Sequence, residues 1–222
     1  MADLTSESCW FESEAMETLG SCSKTYRITK RILDVVLCLI LLPFVVPVIA
    51  VCSLALWIEN PGPIFFFQQR TGWRGKRFKM FKLRTMVVNA EQLKSELRHL
   101  NELSWPDFKI SNDPRVTKVG RFLRKTSLDE LPQIFNVLNG EMSLVGPRPT
   151  SFAAKTYKMW HTERLEVLPG ITGLWQVSGR SDVDFDDRLR LDIEYIRRRS
   201  LWFDITLLFK TISAVLHPKG AY

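Results

Sequence analysis

Residues Ile32 to Ile58 read ILDVVLCLILLPFVVPVIAVCSLALWI, with Asp34 as the only charge. The roughly 24 uncharged residues after Asp34 have the length of a membrane-embedded helix. A secretory signal fits poorly, because the preceding residues are acidic at first, the apolar run starts late and no small-residue cleavage site follows. Pro43 and Pro47 fall mid-stretch, one helical turn apart, where each removes a backbone donor and crowds the preceding turn, so a strong kink is expected. Each half is then about 11 residues, roughly half a bilayer. Lys24, Arg27, Lys30 and Arg31 precede the stretch, and Arg70, Arg74, Lys76, Arg77 and Lys79 follow it. Basic flanks prefer the cytoplasm, so both ends favour the same side. The expectation is a re-entrant helix-break-helix over residues 25–59, broken at Pro43 and Pro47 and dipping into one leaflet; a kinked span is the alternative. Asp34 is expected to pair with Lys30 or Arg31, since a lone charge there is costly.

The rest of the chain is long enough for one domain with its own core. Of 222 residues, 45% are hydrophobic and 25% charged, the balance of a folded protein. Thirty-one Lys and Arg against 24 Asp and Glu leave a net charge of +7, which favours anionic partners such as lipid headgroups or phosphorylated substrates. Nucleic acid is disfavoured, because no reading motif accompanies the charge and the membrane stretch argues against it. Cys9, Cys22, Cys38 and Cys52 form neither a disulfide framework nor a zinc spacing. His99, His161 and His217 stand apart from one another, so chemistry is expected to rest on carboxylates.

Beyond the apolar stretch, PIFFFQQRTGWRGKRFKMFKLRTM holds two strand-like runs separated by Gly72 and Gly75, with alternation in Arg77-Phe78-Lys79-Met80, and predicts a β-hairpin with a basic face. Asn89 to Leu103 carries Leu93, Leu97 and Leu100 at helical spacing and predicts a packing helix. DPRVTKVGRFLRKTS sets Val116, Val119, Phe122 and Leu123 at helical spacing with Lys118, Arg121, Arg124 and Lys125 between them. Such a helix lies on an anionic membrane surface or packs on a core with its charges solvated. RLRLDIEYIRRRSLWFDITLLFKTISAVLH repeats the spacing at Leu189, Ile193, Ile196, Ile205, Leu208, Phe209 and Ile212, with Trp202 beside Arg197 to Arg199 as at an interface. The expected plan is α/β and rich in helix: a polar leader (1–24), the membrane hairpin (25–59) and one cytoplasm-facing catalytic domain (60–222).

TSLDELPQIFNVLNGEMSLVGPRPT, residues 126–150, places Asp129 and Glu130 side by side before an apolar run. Ser127 with Glu130 three residues on matches a capping box, in which the pair merely opens a helix. Pro132 would then fall at the fifth helical position and collide with the Leu128 carbonyl, whereas a cap at Asp129 puts it third, where no intrahelical donor is lost. Both placements stay open on sequence. Chemically, a helix N-terminus favours anions. A carboxylate attacking phosphorus forms a reactive acyl phosphate, splitting one displacement into two easier ones. Mg²⁺ is usually held by one or two carboxylates together with substrate phosphates. Arginine supplies the matching fork for phosphate: Arg124 lies a turn before the pair, Arg148 is pinned between Pro147 and Pro149, and Arg180 ends the Gly-rich PGITGLWQVSGR. Any one of them alone reads as a surface salt bridge; their co-occurrence with the acidic pair points to phosphate chemistry.

KRILD, FKLRTM, DPRVTKVGRFLRKTSLDELPQIFNVLNGEMSLVGPRP and LPGITGLWQVSGR together resemble the bacterial sugar transferases, the monotopic polyprenyl-phosphate phosphoglycosyl transferases, over nearly everything from Lys30 to Tyr222. The resemblance implies transfer of a sugar 1-phosphate from a UDP-sugar to undecaprenyl phosphate with release of UMP, the initiating step of surface-polysaccharide assembly, at the cytoplasmic face of the bacterial inner membrane. It implies Asp129 as the nucleophile that forms a phosphosugar-aspartyl enzyme, and Glu130 as a partner carboxylate that aids Mg²⁺ binding or acts as a base. Asp129 and Glu130 are then also the metal ligands. Arg124, Arg148 and Arg180 match phosphate-binding positions, Lys82 and Arg84 are further candidates, and Asp192 matches an acidic position near the active site. Pro47 matches the helix-breaking proline, with Pro43 additional. GLWQVSGRSDV and the terminal GAY are most similar to members that transfer glucose or galactose 1-phosphate. Longer members carry spanning helices and a further domain before this core, so a small-form member is expected, with a homo-oligomer left open. The rival expectation is a non-catalytic membrane-surface module whose basic helices bind anionic lipid and which needs no Asp129.

Overall fold

A computed structural model describes residues 23–102, 110, 112–152, 159–178 and 185–216; the expected polar leader and Arg180 lie outside the described residues, apart from Ser23 and Lys24. In chain order the elements are α1 (Lys24–Glu59), β1 (Phe65–Thr71), β2 (Arg77–Leu83), α2 (Ala90–Leu93), α3 (Lys118–Lys125), α4 (Gln133–Leu138), β3 (Ser143–Val145), β4 (Gly170–Thr172), α5 (Leu174–Val177), α6 (Phe185–Arg198) and α7 (Leu201–Leu216).

Both Pro43 and Pro47 lie inside α1, so where two half-helices are expected the chain forms one helical element. The four-residue spacing gives the reason. Each proline forgoes one bond, to the carbonyls of Leu39 and Pro43, and both losses fall on the same stripe, leaving the bonds on the other faces to carry the helix through. The buried residues Asp34, Cys38, Ile49, Cys52 and Leu56 recur at helical spacing and form one narrow stripe. Leu39, Ile40, Phe44, Val51, Leu54 and Trp57 on the other side are exposed. Among the described residues α1 is the one helix long and apolar enough to cross a membrane.

Both ends of α1 are tied to the same body. At its start, Tyr26 Oη and Lys30 Nζ donate to Asp204 Oδ2 of α7 at 2.8 and 3.1 Å, and Asp34 accepts from Ser143 Oγ at 2.7 Å. Lys30 and Asp34 stand at the outer reach of an ion pair, 4.0 Å. Arg31 is not the partner of Asp34; it donates to the Val137 and Leu138 carbonyls in the last turn of α4 at 2.5 and 2.9 Å. At the far end, Glu59 accepts from the N–H groups of Lys118 and Val119 at 2.7 and 3.0 Å, the open donors at the start of α3.

The hairpin forms as expected, antiparallel, with Phe65 opposite Leu83 and Thr71 opposite Arg77. Arg74 and Gly75 turn the chain at φ 52° and 73°. Phe78 and Met80 point inward while Arg77 and Lys79 stay exposed, which is the basic face. The helix expected from Asn89 to Leu103 shrinks to α2 and a 3₁₀ turn at Arg98–Leu100, with Leu100 exposed. Leu93 and Leu97 are only half-buried and join neither core, and a short helix with little packing is marginal. β3 and β4 are a parallel pair, Ser143 opposite Gly170 and Val145 opposite Thr172. One core gathers Cys38, Phe78, Met80, Val137, Met142, Tyr195 and Leu207; a second gathers Ile49, Cys52, Leu56, Leu83 and Leu123. α1 contributes to both. On the last two helices Leu189, Ile193 and Ile196 are buried, whereas Trp202, Phe209 and Ile212 form an exposed apolar face on α7.

Candidate active site

Asp129 and Glu130 sit in a 3₁₀ turn, Leu128–Glu130, entered through Ser127 at φ 57°. Ser127 makes no side-chain capping bond, so the expected capping box is not formed. The α-helix starts only at Gln133, with Pro132 at its N-cap, where the missing N–H costs nothing. At six residues α4 is too short to bring much dipole to Asp129. Anions are favoured here by side-chain cations.

Each cation arrives on a different element. Lys82 projects from the end of β2, paired across the hairpin with Phe66. Arg124 comes from α3, which packs close against the chain at Thr85 because Gly120 has no Cβ to collide with the Thr85 carbonyl. Thr117 caps α3 by accepting from Gly120 N–H at 2.9 Å, and Arg124 Nε donates to Thr85 Oγ1 at 2.8 Å. Arg148 follows β3, where Gly146 and Gly170 allow an approach that a Cβ on either would block.

Glu130 is the hub. Its Oε1 accepts from Lys82 Nζ at 2.7 Å and from Arg148 Nη2, and its Oε2 accepts from Arg148 Nη1 at 3.1 Å. This is the two-pronged arginine–carboxylate geometry. Burial pushes the Glu130 carboxyl up, but Arg148 and Lys82 outweigh it and hold the group well below the usual carboxylate range. Asp129 differs. It is buried, and its carboxylate forms no hydrogen bond among the described residues. Burial raises its pKa, and the neighbouring Glu130 charge adds to that while Lys82, Arg124 and Arg148 oppose it. Three cations against two carboxylates leave the cluster at +1 when all are ionised. The Arg148 side chain is 32% exposed, so a ligand can reach it.

Two of the expected residues lie elsewhere. Arg84 donates to the Asn60 carbonyl after α1 and forms no hydrogen bond with either carboxylate among the described residues. Asp192, on α6, accepts from Arg164 Nη2 at 2.6 Å, and the same nitrogen donates to the Arg148 carbonyl at 2.5 Å. Asp192 therefore connects to the site through Arg164. Burial pushes its carboxyl up to about 6 against the pull of Arg164. Arg164 is the residue that sequence reasoning missed; in HTERLEVLP it stands among other charged residues, Glu163 and Glu166, and nothing local sets it apart. No group of three or more metal-ligating side chains occurs among the described residues. The adjacent carboxylates still suit Mg²⁺, which takes few protein ligands when substrate phosphates complete its shell. Asp129, with both oxygens free of hydrogen bonds, is the better placed of the two.

The family model for bacterial sugar transferases matches residues 25–218, from the start of α1 past the end of α7. The chain belongs to the bacterial sugar transferase family. It is similar to the undecaprenyl-phosphate galactose phosphotransferase of Salmonella typhimurium, 45% identical over 90% of this chain and 43% of that protein. The UDP-glucose:undecaprenyl-phosphate glucose-1-phosphate transferase of Escherichia coli is 41% identical over 88% and 42%. The exopolysaccharide production protein ExoY of Rhizobium meliloti is 37% identical over 93% of both chains. The chain thus spans less than half the length of the first two relatives and nearly all of the third. As a bacterial sugar transferase, it carries the expected acidic pair, with Lys82 and Arg148 gathered on Glu130.

Proposed function

We propose that this sugar transferase is an enzyme that moves a hexose 1-phosphate, glucose or galactose, from a UDP-sugar to undecaprenyl phosphate and releases UMP, initiating assembly of a surface polysaccharide. The observation that carries this reading is the contrast within the acidic pair: Glu130 is tied to Arg148 and Lys82, while Asp129 beside it has a carboxylate free of hydrogen bonds. In the proposed reaction an Asp129 oxygen attacks the β-phosphorus, and the bond from that phosphorus to the bridging oxygen breaks as UMP leaves. A phosphate oxygen of undecaprenyl phosphate then attacks the same phosphorus, and the aspartyl O–P bond breaks to restore the carboxylate. Both nucleophiles are anions, so neither step needs a proton removed. Glu130, held strongly acidic, is a poor base and serves better to orient Arg148 and Lys82. Its grip on the Arg148 fork also mimics the two-pronged bond a phosphate makes there.

Arg124, Arg148 and Lys82 are proposed to hold the diphosphate, together with Arg180. Mg²⁺ would be held by an Asp129 oxygen and the diphosphate, with Glu130 adjacent, and would neutralise charge on the departing UMP. The proposed setting is the cytoplasmic face of the inner membrane, with α1 bending at Pro43 and Pro47 so that it enters one leaflet and leaves on the same side. Support comes from its two ends, both bound to the same body through Asp204 and Lys118–Val119. A hydrocarbon core about 30 Å thick cannot separate two points on one body outside it. The exposed apolar face of α7 suits the interface beside it. Single cysteines at Ser23 and Pro61, in a background without Cys9 and Cys22, should label from the same side; labelling from opposite sides contradicts this topology. Release of UMP from UDP-glucose or UDP-galactose, dependent on Mg²⁺, tests the reaction, and no release from any UDP-sugar overturns it.

A further inference from the structure

A cavity of about 130 Å³ opens beside Arg148, with Arg164, Asp192, Trp175, Phe185 and Arg188 in its wall. Its polar groups are of two kinds. Arg148 is a phosphate clamp within reach of Glu130. Asp192 is an acceptor, 1% exposed, whose Oδ2 takes the Arg164 bond while its Oδ1 has no hydrogen-bond partner among the described residues. A buried acceptor without a donor is rare in a folded protein and calls for a ligand that supplies one. A phosphate at neutral pH cannot, because its oxygens are acceptors and its charge opposes the carboxylate. A hydroxyl can. Trp175 and Phe185 add flat apolar surfaces, and the Arg188 guanidinium stands 5.7 Å from the first ring and 5.8 Å from the second. One acceptor, one phosphate clamp and aromatic surfaces form the combination that a ring bearing hydroxyls and joined to phosphate requires.

We infer that this cavity is the hydroxyl-binding subsite for the donor, in which Asp192 Oδ1 accepts a hydrogen bond from a ring hydroxyl while Arg148 holds the adjoining phosphate. The inference rests on the proposed use of a nucleotide sugar. Asp192 is then a donor-binding residue, and Arg164, which touches the Arg148 carbonyl and Asp192, is a positioning residue. The ring is either the pyranose or the ribose, and the same chemistry serves both.

The test is steady-state UMP release by the full chain and by Asp192→Asn, using UDP-glucose, UDP-galactose, their single deoxy-hexose analogues and their 2′- and 3′-deoxyuridine counterparts. Asparagine keeps an oxygen for Arg164 and replaces the second acceptor with a donor. The wild type should lose on the order of tenfold or more in kcat/KM on removal of one particular hydroxyl. Asp192→Asn should lose a similar factor on the parent donor, and removing that hydroxyl should cost the variant little further, so the two losses do not add. Non-additivity at a hexose position assigns the pyranose; at a ribose position it assigns the nucleoside. Arg148→Lys, which loses the fork on the phosphate and leaves the Arg164–Asp192 bond in place, should lower all donors alike. Losses that add at every position of both rings, or equal coupling in Arg148→Lys, overturn the subsite while leaving the transferase reaction intact. A wild type inactive on every UDP-sugar overturns the reaction itself and the subsite with it.

Discussion

Glu130 and Asp192 show how the same side-chain chemistry takes opposite characters from its surroundings. Glu130 is bonded to two cations and stays ionised; Asp192 is enclosed more completely and is bonded to one, Arg164, and its carboxyl rises to about 6. A raised carboxyl binds its proton more tightly folded than unfolded, so the contribution of Asp192 to stability is greatest at low pH. It declines as pH climbs from near 4 to near 6 and is level above that, a span of about 3 kcal/mol. Thermal melts of wild type and Asp192→Asn across that window should diverge accordingly, with the wild type losing ground as pH rises; parallel curves would contradict the buried carboxylate. At the clamp, Arg148→Lys retains charge but loses the fork, and kcat/KM for the donor should fall by roughly tenfold or more. Arg148 was legible in sequence because two prolines pin it. Arg164 was not, since its importance lies in a backbone carbonyl and a carboxylate 16 and 28 residues away.

At the scale of elements, legibility followed the presence of a buried partner. The hairpin was readable because Phe78 and Met80 alternate with exposed basic residues and a Gly75 turn closes it. α3 was readable from its spacing; its cap, Thr117, emerged only from the structure. The Asn89–Leu103 helix was over-read, since Leu93 and Leu97 join neither core and Leu100 is exposed. The capping box at Ser127 was plausible locally and lost to tertiary bonding: Glu130 turns to Arg148 and Lys82 instead of back to the turn. β3 and β4, three residues each, are too short to announce a parallel pair. Their pairing nonetheless aims the Arg148 loop. α3 depends on Gly120 in the same way for Arg124, and Gly120→Ala drives a methyl group into the Thr85 carbonyl. A loss of about 1–3 kcal/mol is expected, read as a lower melting temperature with reduced donor turnover; an unchanged variant would show that α3 has room to move.

For the molecule as a whole, α1 joins a long apolar surface and the candidate site in one body. Its buried stripe packs into both cores, its start is bonded to α7 and to Ser143 of β3, and β3 leads directly to Arg148. The fold thereby holds Arg148, the proposed phosphate clamp, in fixed relation to an apolar helix, which suits the proposed substrate pair, one soluble and one lipid. Sequence supplied the apolar segment and the acidic pair; packing supplied the continuity of the helix and the contrast between a hydrogen-bonded Glu130 and an unbonded Asp129. The most direct measurement is intact mass of the purified protein after mixing with Mg²⁺ and UDP-glucose or UDP-galactose in the absence of undecaprenyl phosphate. The proposed mechanism predicts a hexose-phosphate adduct in the wild type, discharged when undecaprenyl phosphate is added, and no adduct in Asp129→Asn. UMP release without any adduct, or an adduct that persists in Asp129→Asn, would contradict it.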